Sequence, residues 1–298
     1  MVYFSDMELW FWAALASSVF SGVAAFSNKI AVKRNYDTEL LILYAGLVSV
    51  LIFFPIVLVR GTVFTAPFLL IALSLLSGVL ASLGGLFKIT ALKYIDTTIF
   101  YPLTKIISPL IAILFGVAFF DESFNFLEWI GLFASLLIPL LLISKVENTR
   151  QNNLGAGLML VIVTGVLAAL VAGIGKYMLQ IFDAIFLILF FTSVGVFLGS
   201  GALFLLKSWQ EGIYHKLRKG NTKSLIFTAV WRASALSLSL LLTLYAFAHN
   251  GTLGIVYTIN SLYILIPIVL SIVFYNEHWD KRKVIAIALS IGALLLFQ

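Results

Sequence analysis

Residues 101–120 read YPLTKIISPLIAILFGVAFF, an apolar run interrupted by one lysine, Lys105, and two prolines, Pro102 and Pro109. A run of about 20 apolar residues is the length an α-helix needs to cross a bilayer. An ammonium at mid-bilayer depth costs about 2.5–3.5 kcal/mol on insertion scales, so this lysine needs a physical reason to be there. Similar runs extend outward in both directions. Of 298 residues, 62% are hydrophobic and 11% charged, against about 25% charged in soluble domains. The chain therefore reads as an all-α integral membrane protein. Barrel strands would show short segments alternating residue by residue, whereas these runs are continuous.

Cutting at charges and turn residues gives ten spans: 8–31, 38–59, 66–92, 97–119, 126–144, 154–179, 184–206, 224–248, 252–275 and a short 284–297. The hydrophilic segment KVENTRQNN, 145–153, serves as a linker between halves 1–144 and 154–298. The halves repeat. SGVAAFSNKIAVK (21–33) lies over TGVLAALVAGIGK (164–176), pairing Gly22 with Gly165 and Lys33 with Lys176. FFDES (119–123) lies over FYNEH (274–278), which pairs Glu122 with Glu277 and Lys105 with Asn260. An odd number of spans per copy turns the second copy over. The expected architecture is thus ten transmembrane helices in two inverted five-helix repeats, a transporter arrangement with its site at the repeat interface.

The stretch ALKYIDTTIFYPLTKIISPLIAILFGVAFFDESFNFLEWIGLFASLLI (91–138) resembles the signature half-repeat of EamA-type proteins in the drug/metabolite transporter superfamily. The resemblance rests on ALKY before a short turn, mid-helix Pro109, the pair Asp121–Glu122, then Trp129 and Gly131. Residues 246–297 resemble it more loosely. The resemblance implies a central cavity lined by spans one, three, four, six, eight and nine, with spans five and ten peripheral.

Loop charge sets an orientation. Thirteen loop lysines and arginines, from Lys33 to Lys283, fall on the side of loops 1–2, 3–4, 5–6, 7–8 and 9–10; Arg60 and Lys176 are the two on the other. Asp6, Glu8, Asp121, Glu122, Glu128 and Asp183 share that second, acidic side. The positive-inside rule makes the basic side cytoplasmic and places both termini outside. Many members of the family it resembles have the opposite orientation. The amino terminus lacks the basic start of a signal peptide and reads as retained. Localisation reads as multi-pass in the plasma (inner) membrane.

Lys105 lies about 12 Å into span four from the basic side at 1.5 Å per residue, and Arg232 is about as deep in span eight. Lys88 and Lys29 end spans three and one on the same side, where snorkelling of the long stems is the bland reading. No Asp or Glu lies deep in any span to neutralise Lys105 or Arg232. A hydrated cavity that receives an anionic group answers both charges; helix-end carbonyls or water are the structural alternative. Tyr101 shares a helical face with Lys105 and Ser108; Tyr257, Asn260 and Tyr263 share one in span nine. Asn28, Trp231 and Lys88 complete the candidate substrate-binding set. Pro102, Pro109 and Pro267 read equally as hinges or tolerated bends. SGVLASLGG (77–85) reads as a helix-packing seam, since it lacks the strand and G-K-[ST] ending of a phosphate loop.

These features point to a secondary transporter (facilitator, exchanger or exporter) of a small anionic or zwitterionic metabolite bearing a carboxylate or phosphate, such as an amino acid or organic acid. Translocation of a lipid-linked anion such as a polyprenyl phosphate would use the same basic vestibule. A membrane-embedded enzyme is disfavoured, because no paired acids or nucleophile–base set lies within the spans. No catalytic residues, metal site or cofactor are expected: there is no cysteine, and the three histidines lie at loops or helix ends. Expected partners are the solute and membrane lipids, not nucleic acid. The oligomeric state and coupling ion are not written in the sequence.

Overall fold

A computed structural model describes residues 3–34, 36, 38–61, 65–91, 94–95, 97–141, 154–211, 222–266 and 281–297. The 145–153 linker, Pro267 and Glu277 lie outside the described residues. The described chain is helical: α1 (Tyr3–Lys33), α2 (Thr38–Val59), α3 (Phe68–Ala91), α4 (Thr97–Phe120), α5 (Phe126–Leu141), α6 (Leu154–Ile181), α7 (Ile185–Glu211), α8 (Thr222–Ala248), α9 (Leu253–Ser261) and α10 (Lys281–Leu295), with a 3-10 turn at Leu262–Ile264 after α9. Among the described residues, seven helices, α1–α4 and α6–α8, are long and apolar enough to cross a membrane. Phe126–Leu141, Leu253–Ile264 and Val284–Leu295 are shorter apolar segments. The protein is thus a multi-pass integral membrane protein.

Local chemistry sets the helix ends. Asn125 and Glu128 form a reciprocal cap on α5: the Asn125 amide oxygen accepts from the Glu128 N–H at 2.8 Å, and the Glu128 carboxylate accepts from the Asn125 N–H at 2.7 Å. This satisfies two of the donors that a helix start leaves open. Asn250, at φ 67, closes α8 in the left-handed region. The next N–H, of Gly251, then bonds back to the Ala246 carbonyl at 2.9 Å, the Schellman arrangement. Asp121, at φ 52, does similar work after α4, and the Glu122 N–H returns to the Gly116 carbonyl at 3.1 Å.

Expected span nine, 252–275, is described as far as residue 266; α9 tightens into the 3-10 turn at Leu262–Ile264, and residues 265–266 are helical again.

Helices pair α1 with α8, α3 with α6 and α7, α2 with α7 and α8, α4 with α6 and α9, α1 with α9, and α5 with α10. Exchanging each helix for the one five places along maps these nine pairings onto one another; α4 also packs on α5, and α6 and α7 on α8, without counterparts of the same extent among the described residues. The α3–α7 crossing runs through the SGVLASLGG segment: a Cβ on Gly78 would overlap the Thr192 carbonyl, and one on Gly195 the Leu75 carbonyl. Backbones touch there, which is how small residues bring membrane helices together. On the basic side, Arg34 donates to the Tyr36 hydroxyl at 3.1 Å and also to Ser224, joining α1 to α8. Burial pulls the Tyr36 phenol upward, but its bonds to Ser224 and Arg34 and the Arg34 charge outweigh this and hold it below the usual tyrosine range.

Candidate functional site

Lys105 sits two turns into α4, and its ammonium lies over the ring of Tyr263, 3.7 Å from the centroid. The electron-rich face of an aromatic ring attracts a cation, and more strongly where water is excluded. The Tyr263 hydroxyl also interacts with Lys105 and lies in the field of Lys88 on α3 and Arg232 on α8. Lys88 and Lys105 are close enough to repel each other. Cations from three helices thus act on one tyrosine presented by the 3-10 turn, Lys105 in direct contact and Lys88 and Arg232 through their fields. Tyr257, six residues back on α9, hydrogen-bonds Ser108 of α4 and lies within electrostatic reach of the same tyrosine. Backbone chemistry adds to this polarity. Pro109 stands four residues after Lys105 within α4, so the Lys105 carbonyl lacks its ordinary helical donor.

Two sequence-predicted residues go elsewhere. Asn260 aligns with Lys105 in the repeat, yet its side chain enters a separate hydroxyl network. Its amide donates to Thr243 at 2.9 Å and accepts from Ser17 at 3.0 Å. Ser17 and Ser21 of α1 both reach Ser239 of α8, at 2.9 and 2.6 Å. This network binds α1, α8 and α9 together across the apolar middle. Trp231 is 52% exposed and sits outside the buried cluster, on an exposed stripe of α8 with Phe227. The side chains of Tyr101 and Asn28 lie outside the described residues.

Sequence reasoning missed the polar cluster at the other end of α4. Glu122 reads from sequence as part of the acidic loops, but its side chain is only 4% exposed. One carboxylate oxygen meets the Lys176 ammonium at 2.5 Å. The carboxylate also accepts from the Leu253 N–H, and from the Gly254 N–H at 3.1 Å, at the start of α9. Lys176 donates in addition to the Gly251 carbonyl at 3.2 Å and lies between the rings of Phe120 and Phe247, at 5.3 and 6.0 Å. The signal was present in the repeat, which singled out Glu122 and Lys176 separately without showing that they meet. Among the described residues, no group of three or more His, Cys, Asp or Glu is placed to hold a metal ion.

Residues 8–144 match the model of the EamA-like transporter family, part of the drug/metabolite transporter superfamily. A solved structure titled "Crystal structure of protein" shares the fold with a TM-score of 0.68, at 16% identity, over 98% of this chain and 96% of that one. That likeness is one of fold. No curated protein matches the chain.

Proposed function

We propose that this EamA-family membrane transporter carries a small organic solute bearing a carboxylate or phosphate, and that Lys105, Lys88 and Arg232 receive the anionic group beside Tyr263. The observation that carries the proposal is the Lys105 ammonium held over the Tyr263 ring, with Lys88 and Arg232 within electrostatic reach of the same tyrosine. Like charges held together inside a membrane repel, and an anion arriving among them relieves that repulsion as well as adding attraction. Close charge pairs in partly desolvated sites contribute on the order of 2–5 kcal/mol. Tyr257 and Tyr263 supply the apolar wall on which the rest of the solute rests.

The ten-span, two-repeat architecture belongs to the same proposal, with alternating access produced by rocking the halves. Two observations support it. Nine of the helix pairings map onto one another when the halves are exchanged. Gly22 and Gly165, matched by the repeat, do equivalent jobs: a Cβ on the first would strike Ile266, and on the second Ile107 of α4. The plasma membrane, with the basic loops inside, is the proposed setting.

The test is thermal unfolding in detergent across carboxylates, phosphates, amines and neutral solutes. A ligand that binds only the folded state raises the unfolding temperature by mass action. Carboxylates or phosphates should stabilise the wild type, and Lys105→Ala and Arg232→Ala should lose that shift while remaining folded. Lys105→Arg should retain part of it. Stabilisation by amines alone, or an anion shift unchanged in all three variants, overturns the proposal.

A further inference from the structure

We propose that Glu122 and Lys176 form a latch that shuts the acidic face of the transporter, and that the transport cycle opens this face by breaking their ion pair. The inference rests on the two-half reading above but not on the identity of the solute. Glu122 follows α4 in the first half. Each partner described for its carboxylate belongs to the second: Lys176 on α6, and the Leu253 and Gly254 N–H groups that open α9. Lys176 is tied to Gly251 in the α8–α9 connection as well.

This distribution gives the contact two stable states. With the halves together, the carboxylate has a cation and two backbone donors, and the positive end of the α9 dipole faces it. With the halves apart, water replaces all of these partners at once. Partial separation leaves a charge buried without partners, which is strongly unfavourable. A contact of that kind switches between states instead of stretching, as transitions at packed interfaces generally do.

Local sequence builds the latch. The left-handed turn at Asp121 leaves that side chain exposed and turns Glu122 inward. Gly116 leaves room for the carboxylate, because a Cβ there would occupy the position of its oxygen. The rings of Phe120 and Phe247 flank Lys176, so the ion pair sits behind an apolar collar. Fifteen residues of α4 separate Lys105 from Phe120, about 22 Å at 1.5 Å per residue. The latch therefore lies at the end of the molecule remote from the cation cluster.

Ile113 reports on the latch. It is buried against Gly254, on α4 between the latch and Lys105, and the chain has no cysteine to contribute background. Ile113→Cys is labelled with a membrane-impermeant maleimide, in intact cells and in inverted vesicles, without added solute. Glu122→Gln and Lys176→Met should each raise the labelling rate about tenfold or more, from the Asp121 side only. Asp121→Asn should leave it unchanged. The charge-reversed pair Glu122→Lys with Lys176→Glu should remain open, because a lysine opposes the α9 N-terminus; a simple strut would be restored by the exchange. Should a single variant fail to fold, Glu122→Gln with Lys176→Met, which leaves no lone charge, gives the same reading. Unchanged labelling in the latch variants, equal gains from both sides, or closure on charge reversal overturns the proposal. Because no solute is present, neither this result nor failure of anion binding decides the other.

Discussion

Removing the Tyr263 ring exposes what holds Lys105 inside the bundle. With the ammonium 3.7 Å from the ring centroid, the interaction lies in the range where a desolvated cation–aromatic pair contributes about 2 kcal/mol. Tyr263→Phe keeps the ring face and should cost little beyond the hydroxyl contact. Tyr263→Leu removes the face and leaves space as well, so its raw cost mixes two effects. A double-mutant cycle with Lys105→Met separates them, because the space left by the ring is common to both arms. Lys105→Met alone should be neutral or stabilising, since deleting a partly buried cation removes its desolvation cost. In the Lys105→Met background, Tyr263→Leu should therefore cost about 2 kcal/mol less than in the wild type. The assay is the unfolding midpoint and free energy in a single detergent, without solute. A coupling below about 0.5 kcal/mol, the scatter expected of independent sites, would show that something other than Tyr263 satisfies Lys105.

Gly116→Ala should displace the Glu122 carboxylate and cost about 1–3 kcal/mol, as overpacking does, read as a lower unfolding temperature. Gly78→Ala and Gly195→Ala insert a methyl group where the α3 and α7 backbones touch; both should sharply reduce the yield of monodisperse protein on size-exclusion chromatography. Asn260→Leu should leave anion affinity intact and cost about 1–3 kcal/mol by stranding hydroxyl partners, measured by ligand shift and unfolding together. Cysteines at Ser5 and Asn221 fix orientation: an impermeant reagent on intact cells should label Ser5→Cys and not Asn221→Cys, and the reverse would give the basic side to the exterior.

The helices were legible in the sequence because the bilayer imposes a length and a polarity on every crossing segment. Lys105 and Arg232 were legible as anomalies for the same reason, since a charge in oil stands out whatever surrounds it. Their meeting on Tyr263 was less accessible. Periodicity placed Tyr257, Asn260 and Tyr263 on one face, but the shift to a 3-10 turn after Ser261 re-aims Tyr263, and a uniform 3.6-residue count does not foresee that. The surroundings of Asn260 were not legible because the repeat equates positions, not partners. Its counterpart Lys105 stands opposite an aromatic ring, whereas Asn260 stands opposite the serines of α1 and α8. Trp231 shows the limit of adjacency. A neighbour in sequence is turned about 100° around a helix, enough to send Trp231 outward while Arg232 turns in.

Glu122 was harder to read for a different reason. Acidic residues just past a span ordinarily mark a solvated loop, and Asp121 obeys that rule. What separates the neighbours is one left-handed residue and the missing side chain of Gly116, which together allow a carboxylate to fold back beneath its own helix. Neither feature has a hydrophobic signature. The consequence is a division of labour along a single helix. Near one end, α4 carries an ammonium against an aromatic ring. Past the other end stands a carboxylate whose described partners all belong to the opposite half. Under the proposed function, a weak partner suits a group that releases it to bind solute, and under the proposed latch a strong, shared set of partners suits a closure that is either made or broken. If α4 moves as one body, what happens to the cation at one end is felt by the ion pair at the other.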